Sequence, residues 1–275
     1  MKAPGSLCKR AGLPTLAALL LMAACGGGES KQTQPVVTTT NSGTSTAPPA
    51  REARQRGRAL VRFIHAAPGV APLDLFAEGE KAFADVRYKA LTPYREVPGD
   101  EQTFRLRLAG QDAAEAIAEE KEGFDQGKHY TAIALPARGG LIVSRNNAPG
   151  AELRFVSDDL VPPASGRAKV RVINASTDLG DVDVYAAGRA EPLLKGVGFV
   201  DAEYVEVEPV TGALEVRRAG ENVATLGVQD VRLEAGKVYT IFVAGGTKGA
   251  SRLESVIVED EIGGATTGTN QNRGR

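Results

Sequence analysis

The chain has 275 residues, a formal net charge of -1 at pH 7 and a hydrophobic fraction of 42%, a globular composition too long for one small domain. The near-neutral charge excludes the broad basic surface that nucleic-acid binding requires. Two cysteines, two histidines and no tryptophan leave few ligands for most metal sites and few aromatic platforms for sugars.

The first 24 residues have the three parts of an export signal. Lys2, Lys9 and Arg10 carry positive charge, and a mostly apolar stretch follows from Ala11 to Ala24. This stretch is too short to cross a bilayer as a stable helix. The pattern therefore predicts a signal peptide over residues 1–24 that is removed on export.

The segment ends in Met22-Ala23-Ala24-Cys25 and resembles the signal of bacterial lipoproteins, in which the cysteine receives diacylglycerol. The resemblance implies lipid attachment at Cys25 and a membrane partner bound through the N-terminal acyl chains. Two or three acyl chains, at ~0.8 kcal/mol per buried CH₂, anchor a protein effectively permanently. Because Gly26 rather than Asp follows the cysteine, the resemblance also implies a cell-envelope location at the outer membrane. The alternative is an unlipidated secreted protein cut near Ala24.

Residues 25–58 are predicted to form a flexible tether. Their first part is rich in Gly, Ser, Thr, Gln and Pro, a composition that cannot support a core. Twenty-five such residues reach roughly 25–30 Å on the flexible-chain estimate. That reach would hold a folded domain clear of the lipid headgroups.

The remainder of the chain contains two copies of one unit at an offset of 109 or 110 residues. Residues 61–66 match 170–175, residues 73–76 match 182–185, and residues 127–131 match 236–240. We therefore predict module 1 over residues 59–160, a Pro-rich linker over 161–167, module 2 over 168–262 and a disordered tail over 263–275. We expect each module to fold separately, with few contacts across the linker.

Four segments, VRFIHAAPGVAPLDLF, LTPYREVPG, FVSDDLVPPASGRAKVRVINAS and DVDVY, resemble the bacterial family called domain of unknown function 4397. The resemblance covers most of Ala59 to Ile262. It implies exported β modules, often in tandem, and transfers no catalytic residue to this chain.

Apolar residues alternate with polar ones in both copies, as in Phe104-Arg105-Leu106-Arg107-Leu108, which predicts strands with one wet face. Turn signals divide each copy into short segments. The predicted fold is all-β, with two tandem immunoglobulin-like or fibronectin type III-like antiparallel β-sandwiches. Residues 113–122 have a helical composition, but their counterpart has the β-branched residues of a strand, so we predict a strand in both.

Tyr130 and Tyr239 each follow a Gly by three positions and an apolar residue by six. This spacing resembles the tyrosine corner of immunoglobulin-like domains, in which the phenol bonds to nearby upstream backbone. Both tyrosines are therefore predicted to be structural.

The sequence contains no motif for phosphate binding or an activated nucleophile. His65 and His129 occupy different repeat positions, so we expect packed or surface histidines rather than ligands. Asp74 and Asp183 do recur and are interpreted as solvent-facing or turn-capping, with recognition as the alternative. Two acidic strand ends, residues 158–159 and 259–261, lack the spacing of a calcium loop and are expected to be solvated. No catalytic residue, metal or cofactor is predicted.

Module 1 has eight more residues than module 2 between its last two strands, counted to Asp159 and Asp260. This insertion contains Arg145, Asn146 and Asn147, a possible recognition loop for an unidentified envelope protein or glycan. The sequence thus favours a lipid-anchored envelope protein with a non-catalytic binding or spacing role. The alternatives are an envelope hydrolase with a site between the modules and a periplasmic assembly factor for a lipid or protein client.

Overall fold

The computed structural model describes residues 57–137, 150–247 and 252–261, which form sixteen β-strands and no helix. The segments predicted as signal peptide and tail, and all of the tether except residues 57 and 58, lie outside these ranges. The strands of module 1 are β1 Arg58–His65, β2 Leu73–Ala77, β3 Glu80–Val86, β4 Arg95–Pro98, β5 Gln102–Leu108, β6 Ala118–Glu122, β7 His129–Pro136 and β8 Ala151–Asp158. Those of module 2 are β9 Ala168–Asn174, β10 Val182–Ala186, β11 Leu194–Val197, β12 Val205–Val207, β13 Val210–Arg218, β14 Ala224–Leu233, β15 Val238–Ala244 and β16 Glu254–Asp260.

Each module is a sandwich of two four-stranded sheets with the same strand order. The inner sheets have the orders β4-β1-β7-β8 and β12-β9-β15-β16, and the outer sheets have the orders β3-β2-β5-β6 and β11-β10-β13-β14. The all-β fold and the tandem sandwiches are therefore confirmed. The predicted strand near residues 113–122 is also present as β6, after a turn.

One strand pair in each module differs from the predicted antiparallel pairing. β1 pairs with β7 in parallel, and β9 pairs with β15 in parallel. The reason is the connection: β7 follows β6, which belongs to the outer sheet, so the chain crosses between sheets instead of returning as a hairpin. It consequently begins β7 at the same end of the sheet as β1.

Side chains alternate between the two faces of a strand, and one face of each sheet packs in the core of its own module. In β5, Phe104 and Leu106 are buried in that core while Arg105 and Arg107 lie on the other face. Strands β9 and β15 do not alternate, because every one of their residues is buried. The inner sheets are therefore covered on both faces.

A third core lies between the inner sheets and joins the two modules. Its buried members are aliphatic and aromatic side chains from both copies: Ile64, Ala66, Ile133, Leu135, Ile173, Ala175, Phe242 and Ala244. The expectation of few contacts between the modules is therefore wrong. The second apolar face of each inner sheet excludes water only by packing against the other module.

The linker is fastened beside this interface. Lys169 of β9 donates to the linker carbonyl of Val161 at 3.2 Å and lies 2.5 Å from the Asp159 carboxylate before the linker. Arg167 donates to the backbone carbonyl of Glu206 at 2.8 Å. The amide of Ala164 donates to the Glu206 side chain at 3.2 Å. These bonds hold the linker against module 2.

In each module the first strand begins and the last strand ends at the same end of the inner sheet, which we call the terminal end. In module 1, Leu60 near the start of β1 is level with His129, and His129 is level with Asp158 at the end of β8. Lys169 and Asp260 are level with Val238 in the same way. The opposite, loop end carries the connections that follow β1, β7, β9 and β15.

Candidate functional site

Some predicted site residues lie outside the described part of the chain. These are the lipid-attachment residue Cys25 and the possible recognition residues Arg145, Asn146 and Asn147.

The insertion that contains these three recognition residues is bounded by the described strands β7 and β8. Asp158, not Asp159, is level with the first residue of β7 and corresponds to Asp260. Asp158 therefore follows Tyr130 by 158 − 130 = 28 positions, whereas Asp260 follows Tyr239 by 260 − 239 = 21 positions. The insertion has seven residues and not the predicted eight.

The two corner tyrosines have the same geometry in both modules. The hydroxyl of Tyr130 accepts a hydrogen bond from the amide of Asp125 at 3.1 Å, and that of Tyr239 accepts one from the amide of Glu234 at 3.1 Å. Each phenol thus joins a strand to the turn before it, and its ring packs in the core of its own module.

His65 and Asn174 form the same turn with different side chains. Nδ1 of His65 accepts from the amide of Ala67 at 3.2 Å, and Nε2 bonds the carbonyl of Ala71 at 3.2 Å. Asn174 likewise accepts from the amide two residues on and donates to the carbonyl six residues on. The two bonds of His65 require a neutral imidazole that carries its proton on Nε2. Burial lowers the pKa of His65, with opposition from backbone hydrogen bonds.

His129 is partly exposed and packs edge-on against the ring of Tyr94, with ring centroids 4.9 Å apart. Burial lowers the pKa of His129, although the charge of Asp158 acts in the opposite direction. Its counterpart in module 2 is the apolar Val238.

Asp74 and Asp183 cap turns as expected, but both are buried and not solvent-facing. Asp183 accepts hydrogen bonds from the amides of Gly196 and Gly220 at 2.8 and 3.2 Å. Asp74 accepts equivalent bonds from the amides of Asp85 and Gly110. Burial raises the pKa of Asp74, but the bond from Lys81 and the two amide bonds outweigh it, so this pKa lies below its usual value. Each aspartate therefore fastens one edge strand, β3 or β11, and one turn to the middle of an outer sheet.

A cluster of charged and polar side chains lies between the inner sheets at the terminal end. It contains one arginine, one threonine, one aspartate and one tyrosine from each module: Arg62, Thr131, Asp158 and Tyr94, and Arg171, Thr240, Asp260 and Tyr204. The arginines, threonines and aspartates are buried. We call these eight residues the buried cluster.

Within each module, the threonine connects the arginine to the aspartate. Nε of Arg62 donates to Oγ1 of Thr131 at 2.8 Å, and Thr131 donates to Asp158 at 2.7 Å. In module 2 the corresponding distances are 2.9 Å from Arg171 to Thr240 and 2.5 Å from Thr240 to Asp260. Each arginine is thus bound through its Nε by the threonine of its own module.

Each guanidinium also donates to an aspartate of the other module, and Nη2 of Arg62 is buried without a hydrogen-bond partner. Nη1 of Arg62 donates to Asp260 at 2.7 Å, and Nη2 of Arg171 donates to Asp158. Arg171 also donates to the carbonyl of Ser157 at 2.9 Å. Because each module supplies an arginine and receives one, the two modules are related by an approximate two-fold exchange.

Tyrosines complete the coordination of the two aspartates. Tyr94 donates to Asp158 at 2.5 Å and Tyr204 donates to Asp260 at 3.3 Å. Their rings also face the arginines, with Arg62 4.8 Å from the Tyr94 ring centroid and Arg171 4.5 Å from that of Tyr204. Cation–π contacts add to the ion pairs in this buried site.

The paired charges stabilise each other against the cost of burial. Burial lowers the pKa of Arg62, but Asp260 and Asp158 outweigh it and hold this pKa above its ordinary value. Burial raises the pKa of Asp158, but Arg171 and Arg62 outweigh it, so this pKa is below its usual value. Both groups therefore remain ionised at neutral pH.

The buried cluster was not predicted, and the expectation that Asp158 and Asp260 are solvated is wrong. One signal was available in the sequence. Arg62 and Arg171 recur at the same repeat position, and the apolar Ile64 and Ile173 follow on the same strand face. Apolar residues on a supposedly wet face indicate a second packing surface.

The described residues contain no group of three His, Cys, Asp or Glu side chains that could hold a metal ion. Over the same ranges, no helix has the length and apolar character needed to cross a membrane.

The repeated sandwiches and the shared buried cluster define a tandem β-sandwich protein with joined modules. A family model described as "Domain of unknown function (DUF4397)" matches residues 59–185 and 168–273. The chain belongs to this family. The first match extends past module 1 into β9 and β10. No curated protein matches the chain.

Proposed function

We propose that the protein is a lipid-anchored protein of the bacterial cell envelope that displays two joined β-sandwich modules for non-catalytic binding or structural spacing. A tether from Cys25 would reach module 1 at residue 57, at the terminal end. The observation that supports this role best is the position of the strand ends. Because the terminal end carries the tether, the loop end is farthest from the point of attachment.

The possible recognition residues fit this arrangement. Arg145, Asn146 and Asn147 fall between the end of β7 and the start of β8, and both of these strand ends belong to the loop end. Polar turn-forming residues at the ends of a sandwich are common binding elements. The partner that we propose is an envelope protein or a glycan.

The hydrolase alternative has less support. Its site would fall between the modules, where Asp158 and Asp260 are buried carboxylates. Both side chains are 0% exposed, and their oxygens are bound to arginine, threonine and tyrosine. A substrate could not reach these carboxylates without separation of the modules.

The assembly-factor alternative requires an apolar surface that is open to a client. The apolar residues on the inner faces are instead packed against each other in the third core. We therefore favour binding by the loops over carriage of a lipid or protein client.

The anchoring part of the proposal is tested by Cys25→Ser in cells that are fed a fatty-acid analogue. We expect acyl incorporation to be lost, because the thiol is the acylation site. The matched control is Cys8→Ser, which should keep the label because residue 8 leaves with the signal peptide. Equal labelling of the wild type and Cys25→Ser would contradict the proposal.

The binding part is tested by removing seven residues from 138–149, which gives module 1 the loop length of module 2. Such a change should cost less than about 1 kcal/mol in unfolding free energy, since loop length has a weak effect on closure entropy. Binding to envelope extracts or isolated glycans should be lost in the folded variant. Unchanged binding would place the recognition site elsewhere.

A further inference from the structure

The inner face of each module contacts the other module through an exchanged pair of bonds. Arg62 donates to Asp260, and Arg171 donates to Asp158. An interface with this exchange is isologous in type, the type that joins identical subunits in two-fold dimers. None of these contacts requires the two modules to belong to the same chain.

A chain with separated modules would expose a large apolar surface. Ile64, Ile133 and Leu135 of module 1 and Ile173 and Phe242 of module 2 are all at most 1% exposed. Exposed apolar patches of this kind associate strongly in water. An opened chain therefore closes on itself or on another opened chain.

The linker alone favours closure within one chain, because it keeps the modules at a high effective concentration. Its contacts, such as Val161 with Lys169 and Arg167 with Glu206, lie outside the third core. Pro162 and Pro163 fix their own φ angles and favour an extended backbone. The linker also contains a turn, in which the amide of Arg167 donates to the carbonyl of Ala164 at 3.0 Å, and opening of this turn allows the linker to reach a second chain.

We propose that the inner faces also join two copies of this chain in an exchanged dimer. Module 1 of each copy docks on module 2 of the other, and the buried cluster forms twice between chains. The occupant of each inner face is thus a second copy of the same protein. This proposal does not depend on lipid anchoring or on loop recognition.

The test uses an ion pair that spans the two modules. Nζ of Lys89 lies 3.0 Å from Oε2 of Glu254, so a carbodiimide can join the two side chains directly. Unlabelled and ¹⁵N-labelled full chains carrying Cys25→Ser are unfolded together, refolded at high protein concentration, crosslinked and digested. The isotopic composition of the Lys89–Glu254 crosslink is then read by mass spectrometry.

Exchange predicts that mixed-label Lys89–Glu254 crosslinks approach about half of the total, the statistical limit for a closed dimer. The internal control is the pair Lys237 and Glu259, which lies within module 2 and should give same-label crosslinks only. A mixed fraction that rises with the refolding concentration supports the proposal. A mixed fraction for Lys89–Glu254 no higher than that of the control, at every concentration, overturns it.

Discussion

At the scale of single residues, His65 and Asn174 hold one turn with an imidazole in module 1 and an amide in module 2. Both side chains are 0% exposed. Each accepts one backbone hydrogen bond and bonds one carbonyl. The turn thus requires a side chain with one hydrogen-bond acceptor and one hydrogen-bond donor at a fixed separation. It requires no other property of histidine.

We expect His65→Ala to lower the unfolding free energy by about 2–3 kcal/mol, because the Ala67 amide and the Ala71 carbonyl lose their partner. His65→Asn should lose less than half of that amount, because asparagine already fills the role in module 2. Chemical denaturation of the two variants measures the difference. Equal losses would show that packing of the ring, and not hydrogen bonding, stabilises the turn.

The same residue gives a pH dependence. Because burial lowers the pKa of His65 in the folded state, the unfolded state binds the proton more readily as the pH falls below about 6.5. The wild type should therefore lose more stability than His65→Asn between pH 7.5 and about 5.5. His129 is present in both proteins and cancels in the comparison. Parallel stability profiles would contradict the role of His65.

At the scale of strands and turns, Asp183 fastens the edge strand β11 and the turn after β13 to the middle of the outer sheet of module 2. We expect Asp183→Ala to cost about 2–3 kcal/mol in unfolding free energy, since two amides lose a charged acceptor. The matched control is Asp181→Ala, an exposed aspartate two positions away, with an expected effect within about 0.5 kcal/mol. Similar effects of both changes in thermal or urea unfolding would contradict a stabilising role for the two hydrogen bonds of Asp183.

Most strands were predictable from the sequence because alternation and turn residues are local signals. The strand β6 was predictable only from its counterpart, since its own composition favours a helix. The parallel pairing of β1 with β7 was not predictable, because it depends on which sheet the intervening strands join. The buried cluster has the same limitation, since Arg62 and Asp260 are 198 positions apart in the chain.

At the scale of the whole molecule, the third core makes the two modules depend on each other. We expect the protein to unfold in one calorimetric transition, because opening the modules exposes apolar surface and separates buried charges. Arg171→Met, which leaves Asp158 with fewer partners, should lower the stability of both modules together. Two resolved transitions, with only one shifted by Arg171→Met, would indicate modules that unfold independently.

The terminal end has a further consequence for the order of the polypeptide. Arg62 touches Asp260, so the first and last strands of the described chain meet, and a short peptide could connect residue 261 to residue 57. New termini could then be opened within residues 161–166, where Val161 is exposed. In this circular permutant module 2 precedes module 1, yet every strand keeps its neighbours. The spatial arrangement should therefore not depend on the order of the modules in the gene, and either module could follow residues 25–58.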